Sequence, residues 1–471
     1  MAFWESRASS RILRASGRPV AAAGREAPEC IVLGVAAGRS ASDKPPVRIF
    51  LGTQPEQHRP ERVFIWSIEQ VRDPSRVYEI FLMQSLNGFD RRGWTTGFTN
   101  YRFAIPHFAG NRGRAIYNDV DQIYLADPGE LFDLPMDGRG FLAIAEKESS
   151  VMLIDCARMA SVWTLSEAQR LRKGQLLKKA LAEPDCWGPL ASEWNARDED
   201  EYDPERAKCV HFTTLHTQPW RPMPRRFAYL SHPMGELWYQ MEDAANQAGY
   251  QVFTAARPSL LFRQLLEGYR SGAREPRPLA LAADERRELG ALIEATATRR
   301  LLHLHIGGAA SDELPGGAAG LEVTRYDPAD PSASLSLDDR YDGVLLDLRS
   351  AELPTEDVPW LIAQAFAHAQ HFVCARIDSR QQTLSRRVKT DFRDLDWWQG
   401  MFRLTSARYP VGIRWQVLRR TSALLGSKLR VRAGAHAHGG ETTAWVLTDG
   451  LSEHRSQALA DASGPLGIGV Q

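Results

Sequence analysis

Twice along this chain, short apolar runs that end at glycine alternate with segments of helical spacing, and that alternation leaves few folds open. Val47-Arg48-Ile49-Phe50-Leu51-Gly52-Thr53 reads as a buried strand running into a loop. Helical spacing follows through Arg62–Ser67, and Val77–Met83, Gly113–Tyr117, Gly140–Ala145 and Val151–Ile154 continue the strand series. The pattern restarts at Arg300–Ile306, which runs into Gly307-Gly308. It continues through Leu321–Tyr326, Gly343–Leu348, an amphipathic helix at Val358–Ala369 and the strand Phe372–Ile377. Strands exchanging with helices predict α/β units with largely parallel sheets. Strand, glycines, helix, strand is the order of a nucleotide-binding doubly wound fold.

The spacing divides the chain as follows. Residues 1–45 carry Ala, Arg, Ser and Gly without a sustained apolar period and are expected to be a disordered tail. Residues 46–255 form the first α/β domain, 256–295 a Pro- and Arg-containing connector, and 296–420 the second α/β domain. A Gly-Ala-His-biased linker spans 421–441, and 442–471 hold one last strand and helix, too little for a domain.

Composition excludes several function classes. The 58 Lys+Arg residues balance 58 Asp+Glu, so no surplus of positive charge argues for nucleic acid as a partner. No run approaches the roughly 18–20 apolar residues of a transmembrane segment. Five cysteines, at 30, 156, 186, 209 and 374, are odd in number, far apart and free of CxxC spacing, which points to a reducing, cytoplasmic setting.

The sharpest chemical feature is Asp119-Val120-Asp121, directly after the apolar Ala115–Tyr117 and before Ile123–Ala126. Side-chain direction in a strand repeats every two residues, so the two carboxylates can face one side. Like charges held close together raise each other's pKa, and a divalent cation removes that cost. Oxygen ligands favour Mg²⁺ or Mn²⁺, and an added histidine tilts the choice toward Mn²⁺. Two aspartates alone also serve simply to end a strand and begin a turn.

The surrounding residues decide between these readings. Thr96, Tyr101-Arg102-Phe103-Ala104-Ile105-Pro106, Gly113 through Asp121, Leu125-Ala126-Asp127 and His211-Phe212-Thr213-Thr214 with Gln218-Pro219-Trp220 together resemble glycosyltransferase family 8. The resemblance implies a GT-A fold and transfer of a sugar, usually from a UDP-sugar, to a glycan or other acceptor with retention of anomeric configuration. It implies that Asp119, Asp121 and His211 hold the metal and that Arg102 approaches the nucleotide or sugar. The loop at Gly52 and Thr53 would receive the nucleoside. His216 remains an alternative to His211. Where the family has a lysine on the diphosphate this chain has Gln218, a neutral amide, and Ser149-Ser150 stands where the family has Asn-Ser-Gly. Trp194-Asn195 is similar to the family's Trp-Asn ahead of the histidine.

Residues 296–418 are similar to class I S-adenosylmethionine-dependent methyltransferases through Tyr326-Asp327-Pro328, Tyr341-Asp342-Gly343-Val344 and Glu356 to Trp360. Their first turn, His303-Leu304-His305-Ile306-Gly307-Gly308, lacks the acid and the Gly-x-Gly of a cofactor cradle. The expectation is a degenerate domain that does not use S-adenosylmethionine and serves as a scaffold or binds a protein partner. Ala444 to Gly450, His454 and Gln457 to Ala460 are similar to the opening of the mitochondrial fission ELM-like family, which implies the truncated start of a further domain. The whole is therefore expected to be a cytoplasmic metal-dependent glycosyltransferase. The alternative is a non-catalytic scaffold in which both α/β domains have decayed.

Overall fold

The computed structural model describes residues 25–197, 203, 205–214, 217–220, 232, 234–278, 280–309, 320–336, 338–349, 353–378, 395–423 and 426–435. The expectations for residues 1–24, His216, residues 436–441 of the linker and residues 442–471 lie outside them. The chain divides into two compact units, one of residues 21–252 and one that runs from Phe253.

The first unit is mixed α/β. Its elements are β1 (Glu29–Leu33), β2 (Val47–Gly52), α1 (His58–Val71), β3 (Tyr78–Met83), β4 (Arg114–Asp119), β5 (Gln122–Tyr124), β6 (Phe141–Ala143), β7 (Val151–Asp155), α2 (Lys173–Ala182), β8 (Trp187–Pro189), β9 (Ala196–Arg197), β10 (Cys209–His211) and α3 (Gly235–Gln247). Seven strands form one sheet in the order β1-β3-β2-β4-β7-β6-β8. β3, β2 and β4 are parallel, and β7 returns antiparallel to β4. One face buries Phe50, Phe103, Tyr117, Met152 and Trp163. A second cluster gathers Val63, Ile123, Val210, Phe212, Trp220 and Trp238. Each such side chain removed from water contributes about 1.5–3 kcal/mol. A small sheet, β5-β10-β9, pairs His211 with Gln122 and Val210 with Ile123. That pairing brings the distant histidine segment against the strand that follows Asp121.

The unstructured reading of residues 1–45 is corrected at β1, which pairs antiparallel with β3 at the sheet edge. Ile31 and Leu33 are buried there while Val32 faces solvent. The alternation is too short to stabilise order alone, and the non-local edge of β3 supplies the missing partner.

The second unit contains α4 (Leu260–Arg270), β11 (Arg277–Pro278), α5 (Ala283–Ala295), β12 (Arg300–His305), β13 (Gly308–Ala309), β14 (Glu322–Tyr326), β15 (Tyr341–Arg349), α6 (Val358–His368), β16 (Ala369–Asp378), α7 (Leu395–Ser406), β17 (Arg414–Ala423) and β18 (Gly426–Ala435). Its main sheet runs β14-β12-β15-β16-β17-β18, parallel except for β18. The first of these strands in sequence lies between the second and the third, so the order reverses between β12 and β15, the switch point of a doubly wound sheet.

Two boundaries differ from expectation. The 421–441 linker is in fact occupied through Ala435 by β18, which pairs with β17 along its whole length. Gly434 is required there because the Trp415 ring would lie 2.6 Å from a Cβ. Glycine content therefore marked close packing, not a linker. The 256–295 connector contains α4 and α5, and α5 buries Leu289, Leu292 and Ile293 in a cluster shared with Leu301, Leu345 and Phe372 of the sheet.

Candidate metal and donor site

The site lies where the central strand β4 ends. Three backbone hydrogen bonds pin the turn: Asp119 N donates to Ser150 O (3.0 Å), Val120 N to Gly52 O (3.1 Å) and Phe212 N to Asp121 O (2.8 Å). β2, the loop before β7 and the segment after β10 thus all converge on Asp119-Val120-Asp121. One ligand atom from each of Asp119, Asp121 and His211 lies within 4.8 Å of the others. The three residues expected to hold the metal are together.

Each has a distinct environment. Tyr117, two residues earlier on the same strand face, donates its hydroxyl to Asp119 Oδ1 at 2.5 Å. Arg102 Nη2 donates to the same oxygen at 2.9 Å. Burial pushes the Asp119 carboxyl up, Arg102 pulls it down, and the Asp121 charge pushes it up again, for a net rise. His211 Nδ1 lies 2.9 Å from Asn195 Oδ1, and Asn195 Nδ2 donates to Ser150 Oγ at 3.0 Å. With the Asn195 nitrogen turned to Ser150, its oxygen accepts from Nδ1–H, so His211 presents Nε2. That nitrogen lies 3.2 Å from Asp121 Oδ1, which is buried and has no other hydrogen-bond partner. Two lone pairs face each other across this gap unless a proton or a metal ion lies between them. Burial pulls the imidazole pKa down, but the Asp121 charge and contact outweigh it and raise the value overall. The arrangement therefore attracts positive charge, and its two carboxylates and one imidazole are a donor set that fits a divalent ion.

The residues expected at the nucleotide are placed nearby. Gly52 pairs with Asp119 across β2 and β4. A Cβ at Gly52 would meet Tyr117 Oη at 2.2 Å and Phe98 Cδ2 at 2.6 Å, so the tyrosine that supports Asp119 sits directly on this glycine. Thr53 is buried and donates its hydroxyl to Glu61 at 3.0 Å. Arg102 is 4% exposed, and each of its guanidinium nitrogens donates within the protein. Nε donates to Thr99 O at 3.0 Å, Nη1 to Ser149 O and Oγ, and Nη2 to Asp119, with Cζ 4.4 Å from the Tyr117 ring centroid. Gln218 Nε2 donates to Phe212 O at 2.9 Å and approaches Asp121 Oδ2 at 3.4 Å.

Sequence reading did not single out Tyr117 as part of the site. Tyr117 carried a signal, since period two in a strand puts it on the Asp119 face. Glu148 Oε1 accepts from Ser149 N (2.7 Å) and Ser150 N (2.8 Å), which fixes the loop that supports both Arg102 and Asn195.

No protein-family model matches the chain, and no curated protein matches it. Among solved structures, it is similar to the apo form of the bifunctional glycosyltransferase WbbM, at 14% identity over 43% of this chain and with a TM-score of 0.33. The match spans 53% of WbbM's own length. It is also similar to the galactosyltransferase LgtC in complex with donor and acceptor sugar analogues, at 12% identity over 42% of this chain and 96% of LgtC, with a TM-score of 0.30. A third similarity, to the glycosyltransferase GlyE of Streptococcus pneumoniae, has 11% identity over 73% of this chain and 95% of GlyE, with a TM-score of 0.31.

Proposed function

We propose that residues 21–252 are a metal-dependent glycosyltransferase that moves a sugar from a nucleotide-sugar, UDP-linked, to a glycan acceptor with retention of configuration. The observation that carries this reading is the convergence of Asp119, Asp121 and His211, with His211 Nε2 and the otherwise unpartnered Asp121 Oδ1 facing each other at 3.2 Å. A Mn²⁺ or Mg²⁺ ion held by these three residues would neutralise the donor diphosphate and stabilise charge developing on the leaving oxygen. The chain's own residues do the positioning. Tyr117 and Arg102 hold Asp119, and Asn195 fixes the His211 ring. Gly52 lets the Tyr117 hydroxyl that holds Asp119 lie against the backbone of β2, with Thr53 beginning the loop proposed to take the nucleoside. The free cysteines support a reducing, cytoplasmic setting; among the described residues no helix is long and apolar enough to cross a membrane.

The second unit is read as a non-catalytic partner or scaffold domain that takes no S-adenosylmethionine. Gly307 at the first turn has φ +60°, and the Tyr269 ring would lie 2.4 Å from a Cβ there, so the chain's own aromatic covers the glycine backbone. Asp327, at the end of β14, accepts from Gly307 N at 3.0 Å and Ala329 N at 2.8 Å. The carboxylate available to a nucleoside hydroxyl is thus committed to its own loop.

Thermal unfolding with UDP, with and without Mn²⁺, tests the glycosyltransferase reading in the wild type and in Asp121→Asn. At a ligand concentration about a hundred times Kd, the wild type gains about 2.7 kcal/mol. The Asp121→Asn variant is expected to lose the Mn²⁺-dependent part. A wild type indifferent to UDP in the presence of Mn²⁺ sinks the proposal and favours the scaffold.

A further inference from the structure

Each residue expected to bind the metal presents one ligand atom and has its other polar atom held by the protein. Asp119 Oδ1 accepts from Tyr117 and Arg102, and among the described residues no donor engages its Oδ2. His211 Nδ1 is turned to Asn195, which leaves Nε2. Asp121 Oδ1 has no partner besides the facing His211 Nε2. The donor that reaches Asp121 Oδ2 is Gln218 Nε2, at 3.4 Å.

Gln218 is set there by contacts that need no ligand. It is buried, and its Nε2 donates to Phe212 O at 2.9 Å, while Phe212 N donates to Asp121 O at 2.8 Å. The Phe212 ring lies in the buried cluster with Val63, Ile123 and Trp238, and it meets the Trp220 ring edge-on with centroids 5.9 Å apart. Thr217 N and Oγ1 both donate to Thr214 O, at 3.1 and 3.0 Å, which closes the turn leading into Gln218. One amide nitrogen with two protons therefore spans Phe212 O and Asp121 Oδ2. The Phe212–Gln218 segment thus grips Asp121 twice, by main chain and by side chain. A neutral amide fixes the carboxylate oxygen without cancelling the negative charge that attracts a cation, as an ammonium in its place would.

We infer that Gln218 is a positioning residue for the metal: it holds Asp121 Oδ2 and so limits that carboxylate to Oδ1 as a ligand. This rests on the glycosyltransferase reading and gives Gln218 a place in it that requires no contact with the diphosphate. With Asp119 Oδ1 and Asp121 Oδ2 both taken, neither carboxylate is free to chelate through two oxygens. Ca²⁺ takes roughly 6–8 oxygen ligands, often from bidentate carboxylates, whereas imidazole suits transition metals. The site therefore discriminates against Ca²⁺ in favour of Mn²⁺, and Gln218 is part of the reason.

The test is titration of the wild type, Gln218→Leu and Gln218→Lys with Mn²⁺, alone and against competing Ca²⁺, with calorimetric binding of UDP alongside. In Gln218→Leu the Kd for Mn²⁺ is expected to rise roughly tenfold, as for loss of an orienting partner, while that for Ca²⁺ stays unchanged or falls because Oδ2 is released. Gln218→Lys keeps a donor but brings a positive charge to Oδ2, and is expected to weaken both ions. Equal weakening of Mn²⁺ and Ca²⁺ in Gln218→Leu, or no weakening of Mn²⁺ at all, overturns the inference alone. So does a Gln218→Lys variant with unchanged Mn²⁺ affinity and tighter UDP binding, which would put position 218 on the diphosphate. Melting temperatures without ligand show whether each variant is folded, and if Gln218→Leu is not, Gln218→Lys decides. Absence of Mn²⁺-dependent UDP binding in the wild type overturns the glycosyltransferase reading, and the inference with it.

Discussion

Asn195 shows how much of a site depends on a neutral side chain. Its oxygen selects the Nδ1–H tautomer of His211, and its nitrogen is held in turn by Ser150 Oγ. Removing such an orienting partner commonly lowers metal affinity by roughly 10–100-fold. Asn195→Ala is expected to weaken Mn²⁺ binding by that factor, as read by titration of the free-Mn²⁺ electron paramagnetic resonance signal. Asn195→Asp, which still accepts from Nδ1–H, should retain most of it. Equal weakening in both variants would mean that Asn195 acts only on packing. Asp119, Asp121 and His211 were legible in the sequence through the glycosyltransferase-like motifs that surround them. The commitments of Thr53, Arg102 and Gln218 were not legible, since each depends on which donor or acceptor folding brings alongside.

At the scale of elements, the joint between α4 and α6 in the second unit titrates. Asp357 is fully buried and accepts from Ser259 N at 3.0 Å and Trp360 Nε1 at 2.8 Å, with Ser259 Oγ at 2.5 Å. Ser259 also caps α4 through Phe262 N. Burial first, and then the Glu356 charge, push the Asp357 carboxyl up to about 7, against the pull of its donors. A carboxyl whose folded-state pKa exceeds its unfolded value keeps a proton that the unfolded chain releases. Stability is therefore expected to fall as pH rises from about 4 to about 7 and then level off, with this group contributing at most about 1.4 kcal/mol per pH unit. Denaturant unfolding across that window measures the slope, and Asp357→Asn should flatten it. The same comparison of elements explains β1 and β18. Their local patterns are weak, and each is ordered by a partner strand, β3 and β17, whose register no local rule reveals.

At the scale of the whole molecule, each of the two units has its own buried clusters, and the proposed chemistry is confined to the first. Hydrogen exchange should follow that division. UDP with Mn²⁺ is expected to slow exchange in peptides covering residues 115–125, 148–155 and 209–214. S-adenosylmethionine should leave peptides covering 300–309 and 322–349 unchanged, because Tyr269 and the committed Asp327 close that turn. Protection by S-adenosylmethionine would overturn the scaffold reading of the second unit. By itself the sequence determined two α/β patterns and the order of their main strands along the chain, and its motifs pointed to Asp119, Asp121 and His211 as candidates for one site. Periodicity and residue chemistry are local properties, readable along the chain. Only the tertiary structure decided that Tyr117 and Asn195 support those residues and that Arg102 and Gln218 are turned inward. Those assignments depend on contacts between residues far apart in sequence, and hydrogen-bond capacity spent on one partner is no longer available to another.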